Sequence, residues 1–269
     1  MLPVIGVTQW TVPWRDEELC SKADEHGFSL LHLDLGSAAE GYPMTDPAHR
    51  DMWLENASRH HVKIVSLALN DLCSHGFTAG VDDARSGIAV RTMEYGVAAA
   101  HAMGIPSVSV PHFFANRIED EFSFHAAAGA LRRLCDRAAE YGILVYTENV
   151  LAHQALERLW NEVDRQNLRL LFDTQNYSAM SQTDAAEIFL KWKDLCGGYI
   201  HLKDGDAPKL GNKALWKGTS GFERVFSAVL NSGYSGGMIL ESNYRSGEAL
   251  IADAERVRER FAVAPDPIV

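Results

Sequence analysis

The feature that most limits how this chain can fold is an eightfold alternation of short apolar runs with longer helical stretches, kept up from end to end. The runs are Val4–Val12, Leu30–Gly36, Val62–Leu69, Ser107–His112, Leu144–Val150, Leu168–Thr174, Gly198–Asp204 and Gly236–Ser242. Their shortness and their β-branched and aliphatic content mark them as strands buried on both faces. Between them Asp16–His26, Pro47–His60, Ala84–Met103, Glu119–Tyr141, Leu156–Gln166, Asp184–Leu195, Phe222–Asn231 and Glu248–Phe261 read as helices. Four joints share one punctuation: Gly27-Phe28, Gly104-Ile105, Gly142-Ile143 and Gly233-Tyr234 each close a helix and lead into a strand. Glycine adopts the left-handed conformation that ends a helix, and the apolar residue after it packs back on the last turn.

Alternating β and α units require a parallel sheet covered by helices. Eight units close into a barrel or spread into an open doubly wound sheet. The first strand leads into Gly6-Val7-Thr8-Gln9-Trp10 rather than a G-x-G-x-x-G loop, so a dinucleotide-binding sheet loses support. The length of 269 residues suits one α/β barrel of roughly 250 residues. The expectation is therefore a single (β/α)8 TIM barrel over residues 1–263, with 264–269 as a C-terminal surface tail.

The formal net charge of -11 repels a phosphate backbone, which argues against a nucleic-acid partner. No apolar run approaches the ~20 residues that span a bilayer, so no membrane partner is expected. Met1–Trp10 lacks the basic and apolar regions of a secretion signal. Cys20, Cys73, Cys135 and Cys196 form no C-x-x-C pair, and the three in helix-like stretches (Cys20, Cys135, Cys196) read as reduced core thiols. A cytoplasmic location is the expectation.

Catalytic groups in such barrels stand at the C-terminal ends of the strands. Here the fifth run ends on Glu148-Asn149, the sixth on Asp173-Thr174, the seventh carries His201 and the eighth ends on Glu241-Ser242. A lone buried carboxylate is costly, and three of them beside an imidazole on four neighbouring strands repel one another unless a cation sits between them. Each residue alone has an ordinary explanation as a salt-bridged, capping or core residue; the series of four does not. Three oxygen donors and one nitrogen suit Mn²⁺, Mg²⁺, Fe²⁺, Co²⁺ or Zn²⁺, with the carboxylates favouring Mn²⁺ or Mg²⁺.

At these residues the sequence resembles the xylose isomerase-like TIM-barrel family of sugar-phosphate isomerases and epimerases, which includes the AP-endonuclease family 2 branch. The resemblance rests on Tyr146-Thr147-Glu148-Asn149, Phe172-Asp173-Thr174, Ile200-His201-Leu202-Lys203-Asp204 and Gly233-Tyr234-Ser235-Gly236 running into Ile239-Leu240-Glu241. It implies one divalent metal ion on Glu148, Asp173, His201 and Glu241, and a second role for Glu148 and Glu241 as catalytic acid and base. A metal that binds a ketone oxygen and the neighbouring hydroxyl stabilises the enediolate left when the α-proton departs. A carboxylate on each face then removes the proton from one side and returns it from the other. Three departures weaken the match to ketose 3-epimerases. Gln154 stands where they carry a second glutamate, Asn176 where many members have a histidine, and Gly205-Asp206-Ala207 where they place an arginine.

Other polar residues are candidates for the substrate pocket. They are His112 after the fourth strand, Asn70 after the third, Lys203 two residues beyond His201, Trp10, and the departing Asn176 and Gln154. Lys203 reads equally as a ligand for a substrate oxygen or phosphate and as an ion-pair partner of Asp173 or Glu241. His75, in a loop, is a weaker candidate, and Trp14 and Phe113 could line an apolar wall. His60-His61 falls at the opposite end of the barrel and reads as a solvated helix terminus.

The expected activity is isomerisation or epimerisation of a small sugar, keto-polyol or related hydroxy-ketone. The alternatives are a dehydratase of an inosose or dehydro-acid on the same site, and a non-catalytic sugar-binding subunit. Substrate choice is assigned to loops such as Ser37–Thr45 and Asp71–Asp82, and a homo-oligomer is compatible with this reading.

Overall fold

A computed structural model describes residues 3–78 and 84–263. The end of the Asp71–Asp82 loop and the 264–269 tail lie outside the described residues. Eight parallel strands alternate with helices in the (β/α)8 order. They are β1 (Ile5–Thr8), α1 (Asp16–Glu25), β2 (Leu30–Asp34), α2 (Pro47–Arg59), β3 (Lys63–Ala68), α3 (Ala84–Met103), β4 (Ser107–Pro111) and α4 (Glu121–Ala139). There follow β5 (Leu144–Glu148), α5 (His153–Val163), β6 (Leu168–Leu170), α6 (Asn176–Met180), α7 (Ala185–Trp192), β7 (Tyr199–Leu202), α8 (Phe222–Asn231), β8 (Gly237–Leu240) and α9 (Gly247–Ala262).

The strand order is β6-β5-β4-β3-β2-β1-β8-β7. The two end strands meet through the residues that prolong β6. His201 N donates to Phe172 O at 2.9 Å, and Thr174 N donates to His201 O at 3.2 Å. The expected sixth strand is therefore real but shorter than Leu168–Thr174. Its last residues leave the regular ladder because the Asp173 side chain takes the amides of Gln175 and Asn176 and turns the chain into α6.

By their contacts the described residues group into two compact units, one within 1–32, 56–63 and 171–263 and the other within 33–55 and 64–170. In the first, β1, β7 and β8 are buried at every position, as an apolar run covered on both faces must be. β1 pairs with both β2 and β8. Gly6 lies opposite Leu30, and a Cβ at Gly6 would sit 2.5 Å from the Leu30 Cβ, so the two strands approach too closely there for any side chain. In the second unit β4 pairs with β5 over five residues, bringing Pro111 opposite Glu148. Its helix α4 starts on a reciprocal cap in which Asp120 accepts from Ser123 N at 2.7 Å and Ser123 Oγ accepts from Asp120 N at 2.9 Å.

Gly27, Gly104, Gly142 and Gly233 all have φ between 65° and 73°, the left-handed closure expected of the four joints. Cys20, Cys135 and Cys196 are buried thiols and Cys73 is half-buried, none of them in a disulfide. Cys196 lies just past α7 rather than inside a helix. No described helix is long and apolar enough to cross a membrane.

Candidate active site

Four strand ends deliver the residues of the site. Asp173, His201 and Glu241 follow β6, lie within β7 and follow β8, while Glu148 closes β5; all four are buried. One ligand atom from each lies within 4.8 Å of the others, the one such group of His, Cys, Asp or Glu among the described residues.

Asp173 divides its two oxygens. Oδ1 accepts from Gln175 N at 2.8 Å and Asn176 N at 2.7 Å, so the backbone entering α6 fixes the carboxylate plane. Oδ2 lies 3.2 Å from Lys203 Nζ, yet this buried atom has no partner in hydrogen-bonding geometry. Lys203 reaches more closely to Glu241, with Nζ donating to Oε2 at 2.6 Å. Two residues beyond His201 on one face, Lys203 thus forms the ion pair that was one of its two readings. Glu241 also receives Trp10 Nε1–H on Oε1 at 3.2 Å, and its Oε2 stands 3.1 Å from His201 Nδ1. On its other side His201 faces His32, the two nitrogens being 3.0 Å apart.

The electrostatics follow from burial and these neighbours. Burial pushes the Asp173 carboxyl up, with Lys203 pulling against it. Burial also acts to raise Glu241, but His201 and Lys203 outweigh it and hold the carboxyl well below the usual range. His32 lies well below an ordinary imidazole, because burial and the adjacent His201 disfavour a charged ring. Fully ionised, three carboxylates beside one ammonium sum to -2, the charge a divalent cation cancels. The unsatisfied Asp173 Oδ2 and a donor set of three carboxylates and an imidazole fit such an ion, so the cluster could hold a metal.

The predicted pocket residues divide. His112 follows β4 and is 1% exposed; burial lowers its pKa to about 3, against a backbone hydrogen bond at Asn116. Its backbone N donates to Glu148 O at 2.8 Å, which seats it beside a cluster residue. Asn176 is buried at the start of α6, with its amide on Asp173. Asn70 is engaged with Asp34, giving it side-chain and backbone hydrogen bonds. Gln154 is exposed on the first turn of α5. His75 is held by Asp71, its Nδ1 2.9 Å from Oδ1. Phe113 is buried, Trp14 stacks on His26, and His60 lies 3.7 Å from Asp24 Oδ2.

Two residues were missed. His32 reads as a core histidine because its partner is 169 positions away. Asp34 closes β2 as a mostly buried carboxyl raised to about 6 by burial. The position of Asp34 at the C-terminal end of β2 is the signal that could have found it.

Residues 20–262 match the xylose isomerase-like TIM barrel family. The chain is 29% identical over 260 residues to 2-epi-5-epi-valiolone 7-phosphate 2-epimerase of an Actinoplanes species, covering 94% of this chain and 93% of that protein. Among solved structures, a xylose isomerase domain protein from Planctomyces limnophilus superposes with a TM-score of 0.76 at 15% identity, covering 97% of this chain and 98% of that one. A 3-keto-D-glucoside 4-epimerase from E. coli gives 0.72 at 17% identity, with 96% and 99% covered. The IOLI protein with a bound zinc atom gives 0.71 at 17% identity, with 98% and 97% covered.

Proposed function

The chain belongs to the xylose isomerase-like TIM barrel family, and on that premise we propose that it is a divalent-metal-dependent epimerase or isomerase of a small sugar or polyol ketone. The observation that carries this reading is the buried cluster itself, in which two glutamates accompany an aspartate and a histidine. The relative that shares 29% identity across nearly the whole chain is a 2-epimerase, which favours epimerisation over dehydration. Its substrate, a phosphate-bearing ketone by name, is the first compound class to try.

Glu148, Asp173, His201 and Glu241 would hold the ion, with Mn²⁺ the first candidate for a carboxylate-rich set. When bound, it supplies a positive charge that stabilises oxyanion character on the substrate. The remaining chemistry falls to side chains. Glu241, held ionised beside His201 and Lys203, accepts a proton from the carbon next to the carbonyl. Trp10 Nε1–H on its other oxygen fixes the plane of that carboxylate. Glu148 serves as the partner that returns a proton. His112, buried and neutral, presents a ring nitrogen to a substrate oxygen.

The test is solvent-isotope exchange. The protein is stripped of metal, reloaded with Mn²⁺ and incubated with a candidate ketone in D₂O. Deuterium at the carbon beside the carbonyl, with product of unchanged formula, supports the reading. Loss of one water from the product would assign a dehydratase instead. Glu148→Gln and Glu241→Gln should each lower turnover about 10²–10⁴-fold. Full turnover in both would overturn the proton-transfer assignment.

A further inference from the structure

His32 occupies the middle of β2, is wholly buried, and takes no part in the proton transfers above. Its Nδ1 stands 3.0 Å from His201 Nε2, while the other nitrogen of His201, Nδ1, lies 3.1 Å from Glu241 Oε2. The two edges of the His201 ring therefore have different neighbours. One edge meets the acidic cluster and the other meets a second imidazole.

A ring nitrogen that coordinates a cation must have lost its proton. A cation held among the carboxylates takes the Nδ1 lone pair of His201, because that is the edge facing them. The single proton of a neutral His201 then resides on Nε2, and that N–H faces His32 Nδ1. His32 Nδ1 must accept it, which places the His32 proton on Nε2.

We propose that His32 is a positioning residue that sets the tautomer and orientation of His201 by accepting its Nε2–H, so that Nδ1 is presented to the cation. The inference rests on the metal-centre reading above. Metal-bound histidines commonly donate their second N–H to a carboxylate or a backbone carbonyl. Here a carboxylate would add charge to a cluster already summing to -2, whereas an imidazole accepts the hydrogen bond without adding any. The surroundings hold both rings in register. Trp10 meets His32 edge-on with ring centres 5.0 Å apart and lies 6.5 Å from His201, and Tyr199 meets His32 edge-on at 5.3 Å. Trp10 also donates to Glu241, so one indole braces both the imidazole pair and the carboxylate.

The experiment compares Mn²⁺ affinity by calorimetry in the metal-stripped full-length wild type, His32→Leu and His32→Asn. Asparagine places an amide oxygen near the position of the lost Nδ1, whereas leucine offers no acceptor. The expected result is a loss of about 10–100-fold in affinity for H32L and only a few-fold loss for H32N. In parallel, ¹⁵N NMR of the wild type loaded with diamagnetic Zn²⁺ should show His201 protonated on Nε2. Equal affinity in wild type and H32L, or a Zn²⁺ form with the proton on Nδ1, overturns the proposal. Should H32L fail to fold, H32N and the wild-type spectrum decide. A wild type that binds neither ion sinks the metal-centre reading along with this one, whereas normal binding by wild type and H32L alike sinks only the role of His32.

Discussion

Lys203→Met keeps the length of the side chain and removes its ammonium; it should lower the stability of the metal-free protein while enlarging the stabilisation that metal gives. Nζ lies 2.6 Å from Glu241 Oε2 and 3.2 Å from Asp173 Oδ2, and the three side chains are 9%, 8% and 1% exposed. Water screens such a set weakly, so stranding its carboxylates costs about 3–5 kcal/mol. At about 2–4 °C per kcal/mol for a chain of this size, the metal-free variant should melt roughly 6–20 °C below wild type. The cluster sum then falls from -2 to -3, which strengthens its hold on a cation. Coulomb's law at an effective dielectric of about 20 makes that at least tenfold in affinity, about 1.4 kcal/mol. Wild type at about 100 times its Kd gains about 2.7 kcal/mol from metal, and the variant at the same concentration should gain more. Thermal unfolding by calorimetry, with and without Mn²⁺, reads both terms. A metal-free variant as stable as wild type, or one that gains less from Mn²⁺, would refute the counter-ion role.

Asp34 makes the fold pH-dependent. Its folded pKa of about 6 lies above the ordinary 3.8, because burial outweighs the hydrogen bonds from Gly36 and Asn70. The folded chain therefore holds this proton more tightly than the unfolded one. Its contribution is fully present below about pH 4 and is lost as pH rises through about 6, which over roughly two units is about 3 kcal/mol. Asp34→Asn should accordingly leave urea stability unchanged at pH 4 and raise it by up to that amount at pH 8; the same gain at both pH values would contradict the assignment. Asp253, 5% exposed on α9, accepts from Leu215 N at 2.8 Å and Tyr244 Oη at 2.9 Å. Asp253→Ala strands two buried donors and should cost about 2–5 kcal/mol in chemical denaturation. A change within about 0.5 kcal/mol would show that neither bond matters.

The four strand-end residues were legible in the sequence because an apolar run stops where a strand leaves the core, so the residue at that point is positioned by the run itself. Glu148, Asp173 and Glu241 each follow such a stop, and His201 sits within one. The closing glycines were legible for a similar local reason, since the required backbone conformation is set within one turn. What stayed hidden depends on residues far apart. The ion pairs of Lys203 with Asp173 and Glu241 depend on three strand ends together. His32, within Leu30-Leu31-His32-Leu33, has the pattern of a packed core residue, and nothing local signals an imidazole 169 positions away. The length of β6 was overestimated because Leu171 and Phe172 remain apolar and buried after the ladder ends. There the side chain of Asp173, not hydropathy, turns the chain.

The missing arginine after His201 has a physical counterpart in how the following loop is fastened. Asp204 accepts from Gly205 N at 2.8 Å and Ser220 Oγ at 2.6 Å through Oδ1, and from Gly218 N at 2.8 Å through Oδ2. The buried Gln175 side chain donates to Lys209 O and accepts from Gly211 N, and Asn243 N donates to Gly211 O at 2.7 Å. A Cβ at Gly205 would meet Asn212 Oδ1 at 2.5 Å, Gln175 Nε2 at 2.6 Å and the backbone oxygen of Lys209 at 2.9 Å, so a side chain there would displace these loop contacts. Gln175 and Asn243 stand two residues after Asp173 and Glu241, so the loop is tied to the same strand ends that carry the cluster. A long cationic side chain at this point would require the whole fastening to change. In the function proposed above, the grip on substrate then comes from other strand ends, and the buried His112 is the side chain assigned to it. The cluster residues are set by strand ends and can be read one strand at a time, while the fastening of the loops depends on how they tie to one another.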